Sequence, residues 1–119
     1  KRRHRKNIIN KFMIFNFHLH NEKFEKIKNG SKKIEARLFD EKRKLIKVGY
    51  VIIFSNRDTG EILQKEVKEI VIAKSFKELF NLRNIKDFGG KDLEESVSNM
   101  YKYYSIEDEE KFGVMGIVL

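Results

Sequence analysis

The chain has 119 residues, 40% of them hydrophobic and 37% charged, with a formal net charge of +8. That is enough sequence for one domain with a real core under a heavily charged surface. It holds no cysteine, which excludes disulfides, thiol catalysis and thiolate metal sites, and no stretch reaches the roughly 18 apolar residues of a membrane span.

The positive excess favours a polyanionic partner, nucleic acid before an anionic membrane. A general abundance of lysine would account for it equally well. Lys1, Arg2, Arg3, Arg5 and Lys6 repel one another and bury nothing, so residues 1–10 read as a basic flexible arm ahead of a domain at 11–119. Asn10 and Lys11 break the apolar stretch after the basic start, which makes a poor signal peptide, and a cytoplasmic protein is expected.

Met13 to His20 alternates as a strand, with Met13, Phe15, Phe17 and Leu19 on one face and Asn16, His18 and His20 on the other. Two histidines on one face could begin a metal site, but no third ligand is spaced to join them, so no metal is expected. Asn21 is placed to cap a short helix whose face carries Phe24 and Ile27. Gly30 ends that helix, since a left-handed residue costs glycine nothing. Ile34, Ala36 and Leu38 then alternate with Lys33, Glu35 and Arg37, which predicts a strand with three charged side chains on one face and Lys32 at its start.

A charged loop, Asp40 to Lys44, precedes a buried strand from Tyr50 to Phe54. Asn56 to Gly60 reads as a hairpin turn, and Glu61 to Lys74 as its return strand. The alternation slips between Val67 and Ile72, as at a bend or bulge. Ser75 and Glu78 make a capping box for a helix carrying Phe76, Leu79 and Phe80. Ile85 and Phe88 are the expected anchors of the next loop. Leu93, Val97, Met100 and Tyr104 give Asp92–Tyr104 an amphipathic face. Ser105 and Asp108 open a last helical turn, Gly113 ends it, and Val114 to Leu119 is a final strand. The pattern lacks a βαβαβ rhythm and internal repeats, and it implies an α+β domain on a mainly antiparallel sheet.

The run Gly30-x-Lys32-x-x-Glu35-x-Arg37 resembles the signature of the ASCH domain of the PUA-like superfamily. The His18 strand, Ile46 to Gly49 before a strand ending in Phe54, Ser75 to Phe80, and Phe112 to Ile117 agree with it in order, so that the resemblance covers residues 13 to 119. It implies a small PUA-like β-barrel with flanking helices, and a cleft that binds RNA or modified nucleotides. Some small ASCH proteins remove an acyl group from acetylated cytidine. Their motif has Lys at the position of Lys32 and a nucleophilic Thr at the position of Glu35; here the Lys is retained, the Thr is replaced, and Arg37 matches the Arg that comes after it.

The candidate nucleic-acid site is therefore Lys32, Lys33, Glu35 and Arg37, with His18 and Tyr103, and with Tyr101 and Tyr104 as further stacking candidates. Arginine offers a flat bidentate fork and lysine a point charge, so together they can hold a phosphate or a base edge. Tyrosines can stack on unpaired bases. A bland alternative is an ion pair between Glu35 and Arg37 on a solvated face. Three functions compete: an RNA-binding module, a hydrolase of a modified nucleoside or RNA with Lys32 and Glu35 catalytic, and an interaction domain whose charge only keeps it soluble. RNA or a nucleotide is the expected partner, with no cofactor and no membrane.

Overall fold

The computed structural model describes residues 13–119, and the expected basic arm at 1–10 lies outside them. The described chain runs β1 (Ile14–Leu19), α1 (Asn21–Lys28), β2 (Ile34–Leu38), β3 (Val51–Asn56), β4 (Ile62–Glu66) and β5 (Glu69–Ala73). It continues as α2 (Phe76–Leu82), α3 (Leu93–Met100), α4 (Ile106–Phe112) and β6 (Val114–Val118). Single 3-10 turns occur at Arg43–Leu45 and Ile85–Phe88.

α1 buries Phe24 and Ile27, the two residues spaced three apart. Its amino end differs from expectation. Asn21 is the first helical residue, not the cap, and His20 in the cap position makes no side-chain bond to the helix. Asp58, from the β3–β4 turn, accepts the Asn21 N–H at 2.7 Å. The Asn21 side-chain oxygen in turn accepts from Asn56 Nδ2 at 2.9 Å. A carboxylate suits the positive end of a helix, and here it arrives from 37 residues away. Gly30, at φ +86, turns the chain out of the helix.

The strands form two three-stranded sheets, ordered β1-β3-β4 and β2-β6-β5. Three of the four ladders are antiparallel; β1 and β3 run parallel, joined through α1 and β2 as a parallel pair must be. The α+β, mainly antiparallel architecture is as expected. The barrel takes the form of two open sheets, with no ladder closing one onto the other among the described residues.

The single return strand expected at 61–74 is in fact two strands in different sheets. Val67 donates to the carbonyl of Tyr50, beside β3, and Lys68 donates to that of Val118 in β6. The slip in alternation thus marks the point where the chain leaves one sheet for the other, with Val67 buried at the corner.

Two apolar clusters result. One gathers Phe17, Phe24, Ile27, Phe54, Met115 and Ile117; the other gathers Ile34, Leu38, Phe76, Leu79, Phe88 and Val114. β6 therefore feeds both, and it is buried on both faces, which explains its near-continuous apolar run. The amphipathic face of 92–104 packs as expected, through Leu93, Val97, Met100 and Tyr104, although the helix ends at Met100 and Tyr101–Tyr104 form turns. Ser75 and Ser105 cap α2 and α4 by accepting from Glu78 and Asp108.

Candidate functional site

β2 is an edge strand paired only with β6, and a cleft of about 480 Å³ opens along it. The end of β1, α1, the Arg43 turn, the β3–β4 turn, the Gly89-Gly90 doublet and α3 wall the cleft. At its floor Glu35 is only 4% exposed. Lys32 Nζ lies 2.9 Å from Glu35 Oε1, and Arg37 Nε donates to Glu35 Oε2 at 2.8 Å. Lys32 also donates to the carbonyl of Phe88 at 3.1 Å. The Arg37 guanidinium lies over the Phe17 ring, 4.1 Å from its centroid, which fixes its plane. The pair of Glu35 and Arg37 is thus real but buried, and not on a solvated face.

Burial alone would push the Glu35 carboxyl up. The charges of Lys32 and Arg37 and their hydrogen bonds outweigh it and hold the group down at about 2. Burial opposes the Arg37 charge as well, and Glu35 and Tyr104 beside it hold its pKa above the ordinary value.

Gly89 makes this floor possible. It sits at φ +82, and a Cβ there would lie 3.2 Å from the Lys32 stem. The doublet thus lets the loop backbone lie against the lysine.

The sequence-named residues are placed unequally. Lys32, Glu35, Arg37, His18, Tyr103 and Tyr104 all line the cleft. Lys33 does not: it is exposed and precedes the ladder, with its N–H bonded to the Asp87 carbonyl and its own carbonyl bonded to Leu119 N–H. Tyr101 turns the other way. It packs edge-on against Phe76 and donates to Glu109 Oε1 at 2.8 Å, which holds its hydroxyl up at about 12 through burial first and the neighbouring carboxylate second. The buried Glu109 also accepts the Phe76 N–H at the start of α2, so this tyrosine ties α4 to α2.

Sequence reasoning missed Lys23, Arg43, Arg57 and Asn99, which also line the cleft. They come from four separate elements, and no local spacing links them. The Gly89-Gly90 doublet was the one available signal of a tight turn. The lining carries five Lys or Arg side chains against one carboxylate, Glu35. Arg43 is paired with Asp40 at 3.0 Å; Lys23 and Arg57 have no acidic partner within salt-bridge distance among the described residues. Lys23 lies 5.0 Å from the centroid of the Tyr103 ring. Among the described residues no group of three His, Cys, Asp or Glu is placed to hold a metal ion, and no helix is long and apolar enough to cross a membrane.

Fold and site together define an α+β domain built around a basic cleft with a buried Lys-Glu-Arg triad at its floor. The ASCH domain family profile matches residues 17–117, and the chain belongs to that family. It is similar to the crystal structure of hypothetical protein PH0355, with 41% identity, a TM-score of 0.79, and coverage of 88% of this chain and 95% of that one. It is also similar to the solution structure of protein PF0455 from Pyrococcus furiosus, with 36% identity, a TM-score of 0.70, and coverage of 88% and 94%. No curated protein matches the chain.

Proposed function

We propose that this ASCH domain is an RNA-binding module that uses the cleft around Lys32, Glu35 and Arg37. The observation that carries the reading is the charge arrangement. A buried carboxylate is neutralised on both oxygens, and the surplus cations extend from the floor to Lys23 and Arg57 at the rim. Such a surface draws in a phosphate backbone and retains it by counterion release. Family membership supports the same partner, since the PUA-like resemblance implies an RNA-binding cleft.

The hydrolase reading is less well supported by the same geometry. A carboxylate held at about 2 is a weak base near neutral pH, and two of the three Lys32 N–H groups are already engaged, with Glu35 and Phe88. Titration of labelled single-stranded RNA at several salt concentrations tests the binding reading. The expected result is an affinity that falls with salt, with log K losing about 0.7 per decade of salt for each phosphate neutralised. No binding at low salt, or a flat salt response, would remove it.

A further inference from the structure

We propose that the cleft seats one unpaired nucleotide, with a carbonyl edge of its base on the Lys32–Arg37 floor and its phosphates on the Lys23–Arg57 rim. The inference rests on the RNA-binding reading and narrows it to a ligand chemistry.

The floor offers donors. Both Glu35 oxygens are engaged, one by Lys32 and one by Arg37. The Lys32 ammonium uses two of its N–H groups, on Glu35 and on Phe88 O, and keeps the third. Arg37 meets Glu35 through Nε, its Nη end has the Tyr104 hydroxyl beside it and keeps further N–H groups, and the Phe17 ring fixes the plane of that fork. An incoming group that matches this floor is an acceptor oxygen.

A phosphate is the poorer occupant of that position. It would sit beside an ionised carboxylate, on a floor whose two cations and one anion leave a single surplus charge. Lys23 and Arg57 at the rim carry no such anion within salt-bridge distance among the described residues, so the backbone's charge belongs there. A neutral carbonyl takes the floor N–H groups without repelling Glu35. The cleft's volume of about 480 Å³ is in the range of a small-molecule site and suffices for one base. Phe88 and the Tyr104 ring supply wall, and the 61% exposed Tyr103 ring, with Lys23 over one face, offers a stacking surface at the mouth. Uracil, with two carbonyl oxygens and no exocyclic amine, fits this floor; adenine, with an amine and no carbonyl, does not.

The test uses the whole chain at one low salt concentration, with fluorescence anisotropy as readout. Short oligouridine is compared with oligoadenosine, and with the same oligomer carrying 2-pyrimidinone, which loses the 4-oxygen and the N3 proton of uracil and keeps the 2-oxygen. The expected result is that oligouridine binds about tenfold tighter than either, the scale of one good base-edge contact. Arg37→Lys keeps the charge and loses the fork, and should bring the ratio of oligouridine to oligoadenosine affinity down to about one. Lys23→Ala with Arg57→Ala should weaken all three RNAs alike. The pyrimidinone comparison needs no variant, so a misfolded mutant cannot obscure it. Equal binding of oligouridine, its pyrimidinone analogue and oligoadenosine would overturn the base-edge inference while leaving RNA binding intact. Arg37→Lys weakening every RNA equally would make the floor a phosphate contact and overturn it too. Failure of every RNA to bind would remove both this inference and the reading beneath it.

Discussion

Lys32 and Glu35 meet at 2.9 Å although strand alternation places residues three apart on opposite faces. They can meet because β2 begins only at Ile34, and Lys32 stands ahead of it, where the Lys33 N–H turns to the Asp87 carbonyl. The lysine beside the strand, not the one in phase with it, completes the triad.

Removing one member of this buried triad should be costly. Glu35→Gln leaves Lys32 and Arg37 without their anion and is expected to destabilise the fold by roughly 3–5 kcal/mol at neutral pH. The pH dependence gives a second check. The Glu35 carboxyl falls from an ordinary 4.5 to about 2 on folding, so its contribution, on the order of 3 kcal/mol, is present above pH 4.5. It is lost as pH drops through 4.5 towards 2. Denaturant melts of the two proteins should converge as pH approaches 2; a constant gap would show that the carboxylate's charge is not what stabilises.

Asp58→Ala tests the cap supplied from a distance. The variant loses the acceptor for the Asn21 N–H and should lose about 0.5–2 kcal/mol, the usual worth of an N-cap. Thermal denaturation of the variant beside the unaltered chain measures it, and an unchanged midpoint would mean that water serves the helix end equally well.

Tyr101→Phe should cost about 1 kcal/mol by releasing one oxygen of the buried Glu109. Its sign with pH is opposite to that of Glu35. A hydroxyl raised from 10 to about 12 stabilises the fold below pH 10 and loses that contribution as pH rises towards 12. The stability gap between variant and parent should therefore narrow above pH 10. Absorbance titration should find this phenol ionising well above the usual pH.

Acetylated cytidine should not be turned over. The acyl-transfer route implied by the resemblance needs a hydroxyl nucleophile with a neighbouring base, and Glu35 supplies a carboxylate tied to two cations. Chromatography for cytidine after incubation decides the matter. Turnover by the unaltered chain that disappears in Lys32→Ala would replace binding with catalysis. Activity gained only in Glu35→Thr would show that the cleft lacks nothing but the hydroxyl.

What the sequence made legible was local. The Phe24–Ile27 face, the Gly30 turn, the serine caps and the alternation of β2 each depend on residues within a few positions of one another, where backbone sterics and side-chain period decide the outcome. Glu35 and Arg37 were found as neighbours for that reason. The helix cap from Asp58, the parallel pairing of β1 with β3, and the cationic rim of Lys23 and Arg57 depend on elements brought together by the folded core. No spacing rule reaches that far. Lys33 was named because period-2 counting was extended one residue past the true start of the ladder. The slip after Val67 was visible, but it could not by itself distinguish a bulge from a change of sheet.

The position of β6 has a consequence for hydrogen exchange. Its strand edges are bonded to β2 and β5, and its two faces are packed into separate apolar clusters. No partial opening can therefore expose its amides without breaching both clusters at once. These protons should leave only through global unfolding, whereas β4, on a sheet edge with Ile62 exposed, should exchange through local fraying. Exchange rates along the two strands would then bracket the stability of the whole molecule.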